Sequence, residues 1–152
     1  MNVGDRLDQD AKEALRAKDK VRLGAIRRAR AAITDAEKRP GVAAEGGLDE
    51  EGRIAVLAKL AKQHKESIAQ FTAGGREDLV AREQAELAVL ETYLPAEADD
   101  AEIESVVREV IASVGASGPR DVGKVMKPAM ERLRGRADGG RVKDAVQRGL
   151  GG

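Results

Sequence analysis

An all-α fold is what this 152-residue sequence predicts, with an amino-terminal domain of about four helices over 1–95 and a three-helix domain over 96–152. Three observations lead there. Apolar residues recur at alternating spacings of three and four, which gathers them on one face of a helix but scatters them over both faces of a strand. Aromatic residues make up 1% of the chain, so the core must be assembled from Leu, Ile, Val, Met and abundant Ala, a set that suits closely packed helices. The periodic stretches also end at proline or glycine, where a helix loses a donor or gains a cheap left-handed residue.

Leu7, Ala11 and Leu15 define a first short helix, and Asp19 is placed to cap the next by accepting from its free amides. The second helix carries Leu23, Ile26 and Ile33 and is expected to break at Pro40-Gly41. GVAAEGG then reads as a loop. Asp49, Glu50 and Glu51 put negative charge at the start of a long helix whose seam is Ile54, Leu57, Ala61, His64, Ile68 and Phe71, ending at Gly74-Gly75. A fourth helix from about Glu77 to Leu94 turns Leu79, Leu87, Leu90 and Leu94 inward and stops before Pro95, the expected domain boundary.

Asp99 followed by Glu102 resembles a capping box, and Ile103, Val106, Val107, Val110, Ile111 and Val114 follow at helical spacing. The β-branched run VVREVIASV has strand propensity, but period outranks propensity over that length. After a turn at 115–119, Val122, Val125, Met126, Ala129, Met130 and Leu133 mark a sixth helix. Gly135 ends it, Asp138 caps the last, and Val142, Ala145, Val146 and Leu150 form its apolar face. Pro128 should bend the sixth helix by leaving the carbonyl of Lys124 without its usual donor.

Composition excludes several function classes. Without Cys there are no disulfides, Cys-zinc sites or thiol nucleophiles, which fits a reducing compartment. MNVGDRLDQD lacks the apolar stretch of a signal peptide and no apolar run approaches membrane-spanning length, so a cytoplasmic location and no membrane partner are expected. Twenty-seven basic and twenty-seven acidic residues cancel, which argues against attachment by a global field. The cancellation hides polarity: 120–148 holds nine Lys or Arg against four acids, 16–39 nine against three, and 77–109 eleven acids against two bases. Opposite faces could serve partners, or could neutralise one another within the fold.

The segments AKDKVRL, KESIAQF, GGREDLV, AELAVLETYLP, DVGKVM and GRADGG occur in an order that resembles the YqeY family over nearly the whole chain. The resemblance implies a helical domain joined to a three-helix domain similar to the tail of the GatB subunit of tRNA-dependent amidotransferase, where that tail helps to hold tRNA. It also implies an association with glutamine-dependent carbon–nitrogen ligation, although the parts of that enzyme which do the chemistry are not the ones resembled. His64 departs from the family, which usually has a basic residue at that place.

His64 is the only histidine and Ser67 lies one helical step on, but no orienting partner or oxyanion loop accompanies them, so catalysis is not expected. Glu50, Glu51, Glu83 and Glu86 could offer carboxylates, yet no sequence spacing joins them to His64, so neither a metal nor a cofactor is expected. GKVM lacks the glycine and hydroxyl of a phosphate loop, and Gly123 is read as a point of close helix approach. Gly135 and Gly139-Gly140 are read as turn residues, leaving the neighbouring arginines surplus to turning. Lys124, Lys127, Arg134, Arg136, Arg141 and Lys143 are therefore the candidate contacts to tRNA. With Phe71 and Tyr93 the only rings, an RNA would be held by phosphates, 2′-hydroxyls and shape rather than by base stacking, and no DNA partner is expected. The alternative is an adapter that docks an aminoacyl-tRNA synthetase or amidotransferase through the acidic stretch or the long seam helix.

Overall fold

A computed structural model describes residues 1–151, and among them the secondary structure is entirely helical. Eight α-helices occur: α1 (Val3–Arg16), α2 (Lys20–Glu37), α3 (Pro40–Ala44), α4 (Glu50–Ala73), α5 (Glu77–Glu91), α6 (Asp100–Val114), α7 (Val122–Arg132) and α8 (Gly139–Gly149), with one 3₁₀ turn at Pro119–Asp121. The chain divides into two compact units, Met1–Leu94 and Pro95–Gly152.

In the first unit, α1, α2, α4 and α5 share a core of Leu7, Ala14, Ile26, Ala29, Leu57, Ala61, Leu90 and Tyr93. Side-chain caps start α1, α2 and α4 where the sequence places short polar residues: Asn2 accepts from Asp5 N–H at 2.8 Å, Asp19 from Arg22 N–H at 3.1 Å and Asp49 from Gly52 N–H at 2.7 Å. Long-range polar contacts then fix α1 in place. The amide of Val3 donates to both oxygens of Glu50, and Arg6 lies over the Tyr93 ring at 4.9 Å while donating to the carbonyl of Thr92. The Tyr93 hydroxyl donates to Asp10.

The second unit packs α6, α7 and α8 around Ile103, Val107, Val110, Val125, Ala129, Leu133, Val142 and Val146. Asp99 caps α6 through Glu102 N–H at 2.8 Å, and Asp138 caps α8 through Gly140 N–H at 2.7 Å. The amide of Ala98 donates to the carbonyl of Arg136 at 2.7 Å, pinning the approach to α6 against the α7–α8 corner. Helix α7 continues through Pro128.

Several sequence expectations are corrected. GVAAEGG is not all loop, because Pro40 sits in the first turn of a helix, where its missing N–H and fixed φ cost nothing, and α3 follows for five residues. Leu15 is 61% exposed, since Val3, Leu7, Ala11 and Ala14 already form the buried stripe of α1 and Leu15 lies beyond its edge. Val114, at the last turn of α6, is exposed as well. Gly123 does not admit a neighbouring helix, for a Cβ there would meet nothing within 4 Å. The close approach is at Gly149, where a Cβ would stand 2.8 Å from Ile111 Cδ1 and 3.4 Å from Val107 Cγ1. Gly139 and Gly140 lie in the first turn of α8 without positive φ, whereas Gly135, at φ 74°, does make the left-handed turn.

Candidate functional site

The basic residues of the second unit face the acids of α6. Arg136 donates to both carboxylate oxygens of Glu102, at 2.6 and 2.8 Å, and to the carbonyl of Ala96 at 3.1 Å. That fork raises the Arg136 pKa further, and it also means that the Glu102 carboxylate turns to Arg136, so the capping box is realised only on the Asp99 side. Arg141 donates to Asp100 at 2.8 Å and reaches Glu97 at 3.8 Å, and its guanidinium lowers the Asp100 pKa. Arg132 pairs with Glu109 at 2.5 Å and Arg148 with Glu104 at 3.7 Å.

The arginines at the α7–α8 corner are therefore not surplus to the fold. They link α7, α8 and the segment between them to α6, and much of the segregated charge cancels inside the unit. Of the other candidates, Lys124 pairs with Asp121 at 3.5 Å from a largely exposed side chain, and Arg134 is exposed. Lys127 and Lys143 are exposed and make no ion pair among the described residues. The six candidates thus fall into two groups: Arg136 and Arg141, held by the fold, and Lys124, Lys127, Arg134 and Lys143, facing solvent.

A second cationic surface lies at the α1–α2 corner. Residues 15–21 are all exposed. The corner is nonetheless well held, with Asp19 N–H donating to Ala14 O at 2.9 Å and Lys18 N–H to Leu15 O at 3.2 Å. Lys18 has φ 56°, the one non-glycine residue with positive φ among those described, at the position after a helix where glycine is the usual choice. Lys12, Arg16, Lys18 and Lys20 carry charge here without ion pairs among the described residues, and Leu15 and Val21, the latter 48% exposed, supply an apolar edge. Charge counting over 16–39 points to this region, but the concentration of such cations at one corner depends on Arg22, Arg28 and Arg30 being taken up by Asp10, Glu13, Glu86 and Asp8.

The third feature brings to His64 carboxylates that no sequence spacing joins to it. Helices α4 and α5 are consecutive and joined by a turn at Gly74, Gly75 and Arg76, with Gly75 at φ 70°. A hairpin pivoting there brings residues about ten before the turn level with residues about ten after it. His64 Nδ1 accordingly lies 2.6 Å from Glu83 Oε2, and donor atoms of His64, Glu83 and Glu86 all fall within 4.8 Å of one another. His64 and Glu86 are buried, and Arg28 donates to Glu86 while Arg82 stands 3.7 Å from it. Spacing along the sequence could not give this set, because it is created by the packing of one helix on another. The imidazole Nδ1 engages Glu83.

Fold and surface together define an all-helical protein of two units whose polar chemistry lies in ion pairs and exposed cations. The chain belongs to the YqeY family: the model described as Yqey-like protein matches residues 4–150. Among similar proteins, one from Pyrenophora tritici-repentis bearing the name altered inheritance of mitochondria protein 41, mitochondrial, is 33% identical over 150 residues, which cover 96% of this chain and 80% of that protein. Proteins of the same name from Kluyveromyces lactis and Lachancea thermotolerans are 37% and 35% identical over 116 and 117 residues. Each match covers 74% of this chain and 60% of the relative, so against these two the chain spans about three fifths of the relatives' length. No described helix is long and apolar enough to cross a membrane.

Proposed function

We propose that this chain is a non-catalytic accessory module that binds folded RNA of the tRNA type through exposed lysines and arginines. The observation that carries the reading is the α1–α2 corner, where Lys12, Arg16, Lys18 and Lys20 stand on a well-held turn without ion pairs among the described residues. In the second unit Lys124, Lys127, Arg134 and Lys143 are the contacting side chains, while Arg136 and Arg141 hold α6 to the α7–α8 corner. The scarcity of rings supports recognition of phosphates and shape rather than of unstacked bases. The YqeY resemblance of the sequence, which implies a tail like that of the GatB subunit, suggests tRNA as the RNA. The relatives' names refer to mitochondria, and the compartment proposed here is the cytoplasm or the aqueous interior in which a mitochondrion keeps its RNA.

The test is a gel-shift series with folded tRNA at rising salt. Binding should weaken steeply with salt, and replacing Lys12, Arg16, Lys18 and Lys20 together by Ala should lower both affinity and salt slope, the slope by roughly 0.7 to 0.9 for each phosphate that the variant no longer neutralises. Absence of binding at low salt would remove the proposal.

A second reading, a protein-docking adapter, is favoured by the apolar edge of the same corner, because Leu15 and Val21 add nothing to phosphate binding. Under it, a synthetase or amidotransferase co-purifies with the chain after nuclease treatment and is lost on replacing Leu15 and Val21 by Ser.

A further inference from the structure

We propose that His64, Glu83 and Glu86 form a binding site for a divalent transition-metal ion, with zinc the ion whose chemistry fits. Three donors are supplied by two helices rather than by loops: His64 from α4, and Glu83 and Glu86 from α5, where a separation of three residues puts both carboxylates on one face. All three donor atoms lie within 4.8 Å of one another, the closest pair being Nδ1 and the Glu83 oxygen at 2.6 Å.

Zinc bonds to imidazole nitrogen and carboxylate oxygen are about 2.0 to 2.2 Å long, so tetrahedral donors stand about 3.4 Å apart. The closest pair needs to open by about 0.8 Å and no pair needs to close by more than about 1.4 Å, movements that small side-chain rotations supply. The donor set also selects the ion. One nitrogen and two carboxylates without thiolate suit zinc or cobalt, whereas calcium and magnesium call for six or more oxygens.

Charge provides an independent argument. Glu86 is 4% exposed, and a carboxylate so buried needs a counter-charge. Its present partners are Arg28, whose side chain is 46% exposed, and Arg82, 66% exposed, both cations on long stems that reach in from solvent. Such arms can withdraw to water at small cost, so the buried carboxylate has a replaceable cation while the backbone holding it does not move. A divalent ion would bridge Glu86, Glu83 and the imidazole together, which neither arginine does. Three protein donors leave a coordination position for water or for a small anionic or carbonyl ligand.

Arg28 therefore competes with the metal, and this separates the proposal from a plain buried ion-pair network. Chelator-stripped full-length protein titrated calorimetrically with zinc chloride should take up one equivalent. His64→Gln and Glu83→Gln should each weaken binding at least tenfold, with circular dichroism confirming that the helices are retained. In Arg28→Gln zinc should bind tighter than in the parent and should restore the melting temperature that the substitution lowers. Cobalt in place of zinc should give visible absorption that both His64→Gln and Glu83→Gln remove. Absence of saturable zinc uptake, uptake that survives both of those substitutions, or an Arg28→Gln protein that zinc neither binds more tightly nor stabilises would each overturn the site and leave the cluster an ion-pair network.

Discussion

Single atoms decide the sharpest consequences of this fold. At Gly149 a methyl group would stand 2.8 Å from Ile111 Cδ1, inside any ordinary contact. Gly149→Ala gains helix propensity, up to about 1 kcal/mol, but forces Ile111 from its position in a packed interface, a cost of about 1 to 3 kcal/mol. The expected result of urea denaturation is a net loss of about 1 kcal/mol. Ile111→Val deletes the offending atom, so in that background Gly149→Ala should become neutral or stabilising, and a double-mutant cycle reads the coupling. Tyr93 gives a pH prediction. Burial first, and then its hydrogen bond to Asp10, raise the phenol above its usual value of 10.0. A group whose neutral form is favoured in the folded state contributes stability that is complete below the unfolded pKa and is lost as pH rises above it. The melting temperature should therefore fall above about pH 10, and Tyr93→Phe should flatten that fall while leaving its neutral-pH slope unchanged. Neither effect can be read along the sequence: Gly149 has no periodicity to mark it, and Asp10 is 83 residues from Tyr93.

At the scale of elements, most of the molecule is legible. Helices α2, α4, α6, α7 and α8 follow from apolar spacing, and the caps at Asp19, Asp49, Asp99 and Asp138 follow from short acidic residues just before those spacings begin. What escapes is decided by neighbours. Leu15 has the right residue type and follows Leu7 and Ala11 at a spacing of four, but it falls beyond the edge of the stripe that α1 buries, and α3 is too short to have a period. The α1–α2 corner is the element where fold and function pull apart. Holding Lys18 at φ 56° costs about 1 kcal/mol relative to glycine, and a lysine is kept there all the same. Lys18→Gly should raise the melting temperature, by up to about 1 kcal/mol in stability, and under the RNA-binding proposal should weaken tRNA binding in the same protein. A stabilised variant with unchanged binding would show that the charge at Lys18 is not used.

Across the whole molecule, neutrality is made up of pairings that sequence counting can register but not assign. The charge runs over 77–109 and 120–148 are visible as runs, and their meaning turns on α6 meeting α7 and α8 within one unit. The same packing of helix on helix assembles His64, Glu83 and Glu86 from positions that share no sequence spacing. This arrangement supplies a way to separate RNA binding from protein docking. Asp100 pairs with Arg141 and Glu104 with Arg148, all at least partly exposed, so Asp100→Asn with Glu104→Gln should leave stability nearly unchanged. What changes is the field: the formal net charge moves from zero to about +2, Arg148 loses its pairing with Glu104, and Arg141 loses Asp100 and keeps the more distant Glu97. If the second unit lies along phosphates, the double variant should bind tRNA more tightly at low salt and lose that gain as salt rises, since added cationic contacts act through counterion release. If the chain acts only by docking a protein, tRNA binding stays absent while partner capture persists. The Asp100→Asn change also has a pH consequence. Arg141 lowers the Asp100 pKa below its usual 3.8, so the stability this pair contributes is present above that value and is lost as pH falls through the depressed one. Acid titration of the melting temperature should accordingly show parent and double variant converging at the lowest pH, a small gap opening between the depressed pKa and about pH 4, and parallel curves above; a parent curve no steeper than the variant's in that interval would show that the pair does not link α8 to α6 in solution.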